Sequence, residues 1–137
     1  MNKLWAATAL LTLAASPAAA QIVESADGTW ESLPLIAARG DYNMGPGAID
    51  RIQRLAHDRT CNVPGLGPRR IDLTIPIALQ FDSAGALQRI VVRRMGCPQL
   101  DSVMGGVALD LARRGEYRPT GENQTGWYRS EISFTVQ

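Results

Sequence analysis

The stretch IDLTIPIALQFDSAGALQRIVV, residues 71–92, decides the fold. Apolar residues alternate with polar or small ones from Ile71 to Phe81, which is the period of a strand with one buried face. The turn residues Asp82-Ser83-Ala84-Gly85 follow, with glycine where a left-handed backbone is needed. A second apolar run, from Leu87 to Val92, completes the pattern. The stretch therefore predicts a β-hairpin.

Two amphipathic helices and one more strand flank this hairpin in the sequence. Apolar residues recur every three or four positions in residues 47–58 and again in residues 97–115, which predicts a helix in each segment. Gly105 and Gly106 interrupt the second helix, and because each costs about 1 kcal/mol against alanine, we expect both to be buried by close packing on the sheet. Residues 128–136 alternate again and predict the last strand.

The order helix, strand, strand, helix, strand predicts an α+β fold with two layers. We expect a three-stranded antiparallel sheet with the first strand in the centre and the second helix as a right-handed crossover on one face. Pro76 lies within that central strand and has no backbone N–H to give to a ladder. Either a bulge lies at Pro76 or the strand is locally an edge there.

Residues 1–20 have the pattern of a cleavable signal peptide. Lys3 provides the positive start, an apolar run extends from Leu4 to Ala15, and small residues end at Ala20. A retained transmembrane anchor is the alternative, but a span needs about 20 apolar residues and this run is shorter. We therefore expect export to the periplasm, with secretion as the alternative. An irregular N-terminal arm would follow at residues 21–46, and a single domain at residues 47–137.

The two cysteines of the chain are Cys61 and Cys97. A lone pair in an oxidising compartment is typical of a structural disulfide. The hairpin would bring Cys97 near the start of the first strand, and Cys61 lies a short loop before that start. We predict a disulfide between them.

Composition and motifs argue against several classes of function. The formal charge is +1, and because the single lysine lies in the predicted signal peptide, the mature chain would balance 13 arginines against 13 acids. That balance gives no support for nucleic acid as a partner. One histidine and two cysteines do not make a usual zinc framework, and no hydrolase, nucleotide or dinucleotide motif is present. His57, beside Asp58 at a predicted helix end, is better explained as a solvated residue, so we predict a non-enzymatic protein with no catalytic residue, metal or cofactor.

Several short motifs in residues 71–136 resemble the C-terminal domain of TonB-type energy transducers. They are Phe81-Asp82 with Gly85, Gly96-Cys97-Pro98 with Leu100-Asp101, Tyr117-Arg118-Pro119 and the closing Ile132-Ser133-Phe134. The resemblance implies a periplasmic domain with a three-stranded antiparallel sheet and helices on one side. It also implies that the last strand is an edge that pairs with an extended peptide of an outer-membrane receptor.

The chain departs from the TonB pattern in ways that bear on its role. Transducers of that family keep an uncleaved membrane helix and a long proline-rich spacer, whereas the eight prolines here are scattered. The Tyr-Pro pair that usually precedes the first strand is replaced by Thr60-Cys61-Asn62. We therefore expect a standalone periplasmic member without a stable membrane anchor, unable to transmit force across the periplasm alone.

The predicted function is protein or peptide binding by strand addition along the last strand, because an exposed edge offers unpaired N–H and C=O groups. For Tyr128 the alternative is core packing, and for Trp127 it is a surface position beside a turn. The runner-up function is a disulfide-stabilised envelope or secreted protein that acts as an enzyme inhibitor or structural factor through its loops, with residues 121–125 as the candidate loop. The predicted partner-binding residues are Trp127, Tyr128, Arg129, Ser130 and Glu131.

Overall fold

A computed structural model describes residues 22–38, 44–119 and 125–137. The elements run β1 (Ile22–Ala26), α1 (Pro46–Asp58), β2 (Ile71–Phe81), β3 (Leu87–Arg93), α2 (Pro98–Arg113) and β4 (Gly126–Val136). The predicted signal peptide lies outside the described residues. Within those residues, no helix is long and apolar enough to cross a membrane.

The α+β class is confirmed, whereas the predicted three-stranded antiparallel sheet lacks a fourth strand that makes the sheet mixed. The sheet has four strands in the order β1-β3-β2-β4 and is mixed. As predicted, β2 is flanked by two strands antiparallel to it, β3 and β4. The additional strand, β1, comes from the segment predicted to be an irregular arm and pairs parallel to β3.

The core lies between one face of the sheet and the two helices. Alternate residues of β2, from Ile71 to Phe81, join this core and are at most 4% exposed. Ile52 and Ala56 supply the buried side of α1, as the helical spacing predicts. The contribution of α2 is larger and consists of Leu100, Met104, Val107, Ala108 and Leu111.

The hairpin turn forms as its residue types predict. The Asp82 carboxylate oxygen Oδ1 accepts the backbone N–H groups of Ala84 and Ala86, each at 2.9 Å. Gly85 has a φ of 75°, the left-handed conformation that favours glycine. The irregularity in the β2–β3 pairing lies at Gln80/Phe81, close to this turn.

Pro76 lies just past the end of the β2–β3 pairing, which begins at Ile77 opposite Val92. On the other side of β2, Pro76 pairs with Glu131 in a continuous β2–β4 register. The position that lacks an N–H thus falls where β2 has no partner on the β3 side. Of the two alternatives for Pro76, a local edge is correct and a bulge at that residue is not.

The predicted disulfide between Cys61 and Cys97 is present, with a Cα–Cα distance of 5.5 Å. It joins the loop before β2 to the first turn of α2. Cys97 is also the N-cap residue of α2, and its Sγ accepts the N–H of Leu100 at 3.4 Å. One residue therefore serves both as a crosslink and as a helix cap.

The two mid-helix glycines have different surroundings, although both were predicted to be buried. Gly105 is buried, and a Cβ there would lie 3.0 Å from Cγ1 of Val23 on β1. Gly106 is exposed, with nothing within 4 Å of its Cβ position, so the prediction is wrong for Gly106. Close approach of α2 to β1 therefore explains Gly105 alone.

Alanine substitutions at these two glycines form a matched pair. Gly106→Ala should raise the free energy of unfolding by about 1 kcal/mol, because it gains helix propensity and meets open space. Gly105→Ala should gain clearly less or lose stability, because Val23 must move to admit the methyl group. Urea unfolding of both variants checks this. Equal gains would show that α2 does not rest on β1.

Candidate functional site

The outer edge of β4 is the candidate site, because β4 ends the sheet beside β2. The backbone N–H and C=O of Arg129 both bond away from β2, to Pro34 and Ile36 at 2.8 Å each. Backbone groups of a strand alternate in direction, so odd-numbered residues of β4 face outward and even-numbered ones face β2. The pairing of Pro76 with Glu131 is consistent with this alternation. The two residues form a non-hydrogen-bonded pair of the β2–β4 ladder, in which the N–H that proline lacks is not required.

Beyond Arg129 the outer edge is open. Glu131, Ser133 and Thr135 are exposed, and their outward backbone groups form no hydrogen bond with the described part of the chain. Two of the side chains are held by neighbours on β2: the hydroxyl oxygens of Ser133 and Thr74 lie 3.0 Å apart, and the Thr135 hydroxyl donates to Asp72 at 3.3 Å. These cross-strand bonds keep the open edge ordered.

The predicted binding residues divide between the two faces of the sheet. Tyr128 and Ser130 are buried, and the Tyr128 ring packs edge-on against Phe81 with centroids 5.6 Å apart. Core packing, the alternative for Tyr128, describes its position. Trp127, Arg129 and Glu131 have their side chains on the opposite, helix-free face.

The helix-free face is partly covered by residues 28–36, which we call the crossing segment. Arg93 donates from its guanidinium to the carbonyl of Gly28, and its Cζ lies 5.6 Å from the ring centroid of Trp30. Arg129 donates from Nε to the carbonyl of Leu33 at 2.9 Å. Two arginines of the sheet thus fasten the crossing segment at two points.

A small apolar cleft of about 260 Å³ lies where the crossing segment meets β4. Its floor is formed by Ala78 and Val91, which the helices do not cover. Its wall residues Trp30 and Leu33 are apolar enough to be expected to pack against the domain, but they lie in a turn-rich segment without period, so no sequence pattern places them beside β4. The full lining is Trp30, Leu33, Ala78, Val91 and Trp127.

Other candidates for chemistry are less organised. His57 is exposed in the last turn of α1, as predicted. The described residues contain no group of three or more His, Cys, Asp or Glu side chains placed to hold a metal ion. Asp101 lies in the first turn of α2, where its Oδ1 accepts the Met95 N–H at 3.0 Å. Of the alternative loop at residues 121–125, only Thr125 is described.

The sequence contains three arginine pairs, Arg69-Arg70, Arg93-Arg94 and Arg113-Arg114, and one member of each lies beside an acid. Arg70 lies 3.3 Å from Asp72, Arg94 lies 3.4 Å from Asp27, and Arg114 lies 2.7 Å from Asp110. Exposed arginine–carboxylate ion pairs of this kind contribute little to the free energy of unfolding. Their effect is to balance charge locally on the surface.

A larger groove, of about 730 Å³, runs between β1 and α2. Of its acids, Glu24 lies 3.6 Å from Arg89, Asp27 contacts Arg94, and Asp101 accepts the Met95 N–H. The groove also exposes Gly106, which leaves its wall without a side chain at that point. The groove is open to solvent.

No family model matches the chain, and neither a curated protein nor a solved structure matches it.

Proposed function

We propose that this chain is a periplasmic, non-enzymatic protein-binding module resembling the TonB C-terminal domain, and that it binds its partner by strand addition at the outer edge of β4. The observation that carries the proposal is the open edge at Glu131, Ser133 and Thr135. Their three N–H and three C=O groups point away from β2 and have no backbone partner among the described residues.

An extended peptide can satisfy these groups directly. Backbone hydrogen bonds contribute about 0.5–1.5 kcal/mol each in net terms, so a short added strand gains useful affinity from the backbone alone. Specificity then comes from alternate side chains of the peptide. Those on the helix-free face would lie beside Glu131, and those on the other face beside Ile132 and Phe134 of the core layer.

The element order supports the resemblance to the TonB domain. From α1 to β4 the chain runs helix, strand, strand, helix, strand, with the last strand at an edge. On that resemblance the partner is a periplasmic segment of an outer-membrane receptor, which would connect the protein to receptor transport. The disulfide supports export, since such bonds persist in oxidising compartments.

Among the predicted contact residues, those on the helix-free face would make the first contacts with a partner. Trp127 borders the apolar cleft, and Glu131 is exposed beside the open edge. Arg129 is half-buried and already donates to Leu33, so it would contact a partner through the rest of its guanidinium. Aromatic residues and arginine commonly dominate interface energetics.

The proposal is tested by titrating labelled peptides from the periplasmic N-terminal segments of outer-membrane receptors against the full chain. Ser133→Pro should weaken binding at least about tenfold, because it removes an outward N–H and places a ring on the edge. Ser25→Pro is the matched control. Its N–H points outward from β1 at the other edge of the sheet, since Ala26 bonds inward to Arg94.

Ser25→Pro should bind the peptides as the parent does. Equal binding by the parent and both variants would place the peptide site elsewhere. Failure of every receptor peptide to bind the parent would reject receptor segments as the partner class.

A further inference from the structure

The crossing segment passes from one side of the sheet to the other at β4. It leaves β1, follows the helix-free face under Arg93, and reaches the β4 edge at residues 34–36. Leu35 pairs parallel to Arg129 and is 65% exposed. The next residue, Ile36, points to the opposite face, where it joins the helix-side core at 5% exposure.

Residues 34–36 therefore occupy the place of an added strand. Pro34 accepts the N–H of Arg129, and Ile36 donates to the C=O of Arg129, both at 2.8 Å. An incoming strand that ran along the whole of β4 would need these same two backbone groups. Only the stretch from Glu131 to Thr135 is open while the segment is in place.

Resting on the proposed function, we propose that residues 34–36 are a built-in occupant of the strand-addition edge, and that a partner must displace them to pair with the full length of β4. The partner that fits is an extended segment with an apolar side chain at the place of Ile36. For a partner that pairs with the full length of β4, the apparent affinity is therefore the intrinsic affinity multiplied by the fraction of time that the edge is free.

Residues 34–36 are attached to the edge over a short stretch, through two backbone bonds to Arg129, the buried Ile36 side chain and the adjacent bond from Arg129 Nε to the Leu33 carbonyl. They form a single isolated bridge, whereas β2 and β4 pair along 11 residues each. Leu35 and Ala37, on either side of Ile36, are exposed, and Pro34 has no backbone N–H to donate. Short segments with few buried contacts open locally at far lower cost than the core of a sheet. Its principal apolar attachment beside the edge is Ile36.

A peptide that copies residues 32–38, SLPLIAA with a fluorescein label, is a probe that needs no knowledge of the natural partner. Ile36→Ala in the full chain should bind this probe about tenfold more tightly than the parent, because the internal copy holds the edge less of the time. Trp30→Ala, which loosens the segment on the helix-free face, should act in the same direction and serves if Ile36→Ala folds poorly. Ile52→Ala is the control, since it removes a buried isoleucine in α1 away from the edge, and it should bind the probe as the parent does.

Amide hydrogen exchange in the parent provides a second measurement. The Ile36 N–H should exchange at least about a hundredfold faster than the Tyr128 N–H, which faces β2 within the long ladder. Equal protection of the two would overturn the inference. So would a probe affinity that is the same in the parent, Ile36→Ala and Trp30→Ala.

Failure of this inference differs from failure of the proposed function. Receptor peptides that bind in a way sensitive to Ser133→Pro, with equal affinity for the parent and Ile36→Ala, would reject the occupant and leave strand addition intact. If neither receptor peptides nor the probe bind any variant, both proposals fail.

Discussion

Cys61→Ala is expected to lower the free energy of unfolding by about 4 kcal/mol. The disulfide closes a loop with a sequence separation of 36, and the loop-entropy model gives a stabilisation of that size. A domain of this length is stable by only about 5–15 kcal/mol, so the loss is a large share of the total. Urea unfolding under non-reducing conditions measures it.

Substitutions at Cys97 separate the crosslink from the helix cap. Cys97→Ser also breaks the crosslink but can still accept the Leu100 N–H, so it should lose about as much as Cys61→Ala. Cys97→Ala loses the cap as well and should be less stable by about 1 kcal/mol more. If Cys61→Ala costs less than about 1 kcal/mol, the disulfide does not hold the loop before β2 to α2 in the way described.

Ser130→Pro is expected to cost at least about 3 kcal/mol, whereas Ser133→Pro three residues later costs about 1 kcal/mol or less. Ser130 is 4% exposed, pairs with Ile77 and directs its N–H to β2. Proline there breaks the β2–β4 ladder and leaves a buried acceptor unsatisfied. The Ser133 N–H faces the open edge and is not part of that ladder.

Urea unfolding of the two proline variants measures the contrast. The same measurement shows that Ser133→Pro, and not Ser130→Pro, suits the binding test, because a partly unfolded protein cannot show whether the β4 edge binds a peptide. Equal destabilisation by both would mean that the outward and inward directions along β4 are assigned wrongly.

The sequence was sufficient to predict the hairpin, both helices, the last strand and the disulfide. Each has a strong local signal: period two from Ile71 to Phe81, period 3.6 in α1 and α2, and a lone cysteine pair. The strand β1 has no such signal. Its five residues, IVESA, are exposed or half-buried, and it is stabilised by parallel pairing with β3, more than 60 residues away.

The candidate site was predicted only in outline. Alternation along β4 indicates which side chains share a face, but the direction of each backbone N–H depends on the pairing register with β2, which no local pattern reveals. No local sequence pattern predicts the bridge between Leu35 and Arg129 either, because an isolated bridge needs no particular residue types.

Strand addition at β4 is tested most directly by measuring the backbone amide exchange of the full chain with and without a bound receptor peptide. Strand addition at β4 should protect the Glu131, Ser133 and Thr135 amides and leave the Val23 and Ser25 amides at the opposite edge unchanged. A bound peptide that leaves these three β4 amides exchanging as before, or that protects those of β1 instead, would contradict it.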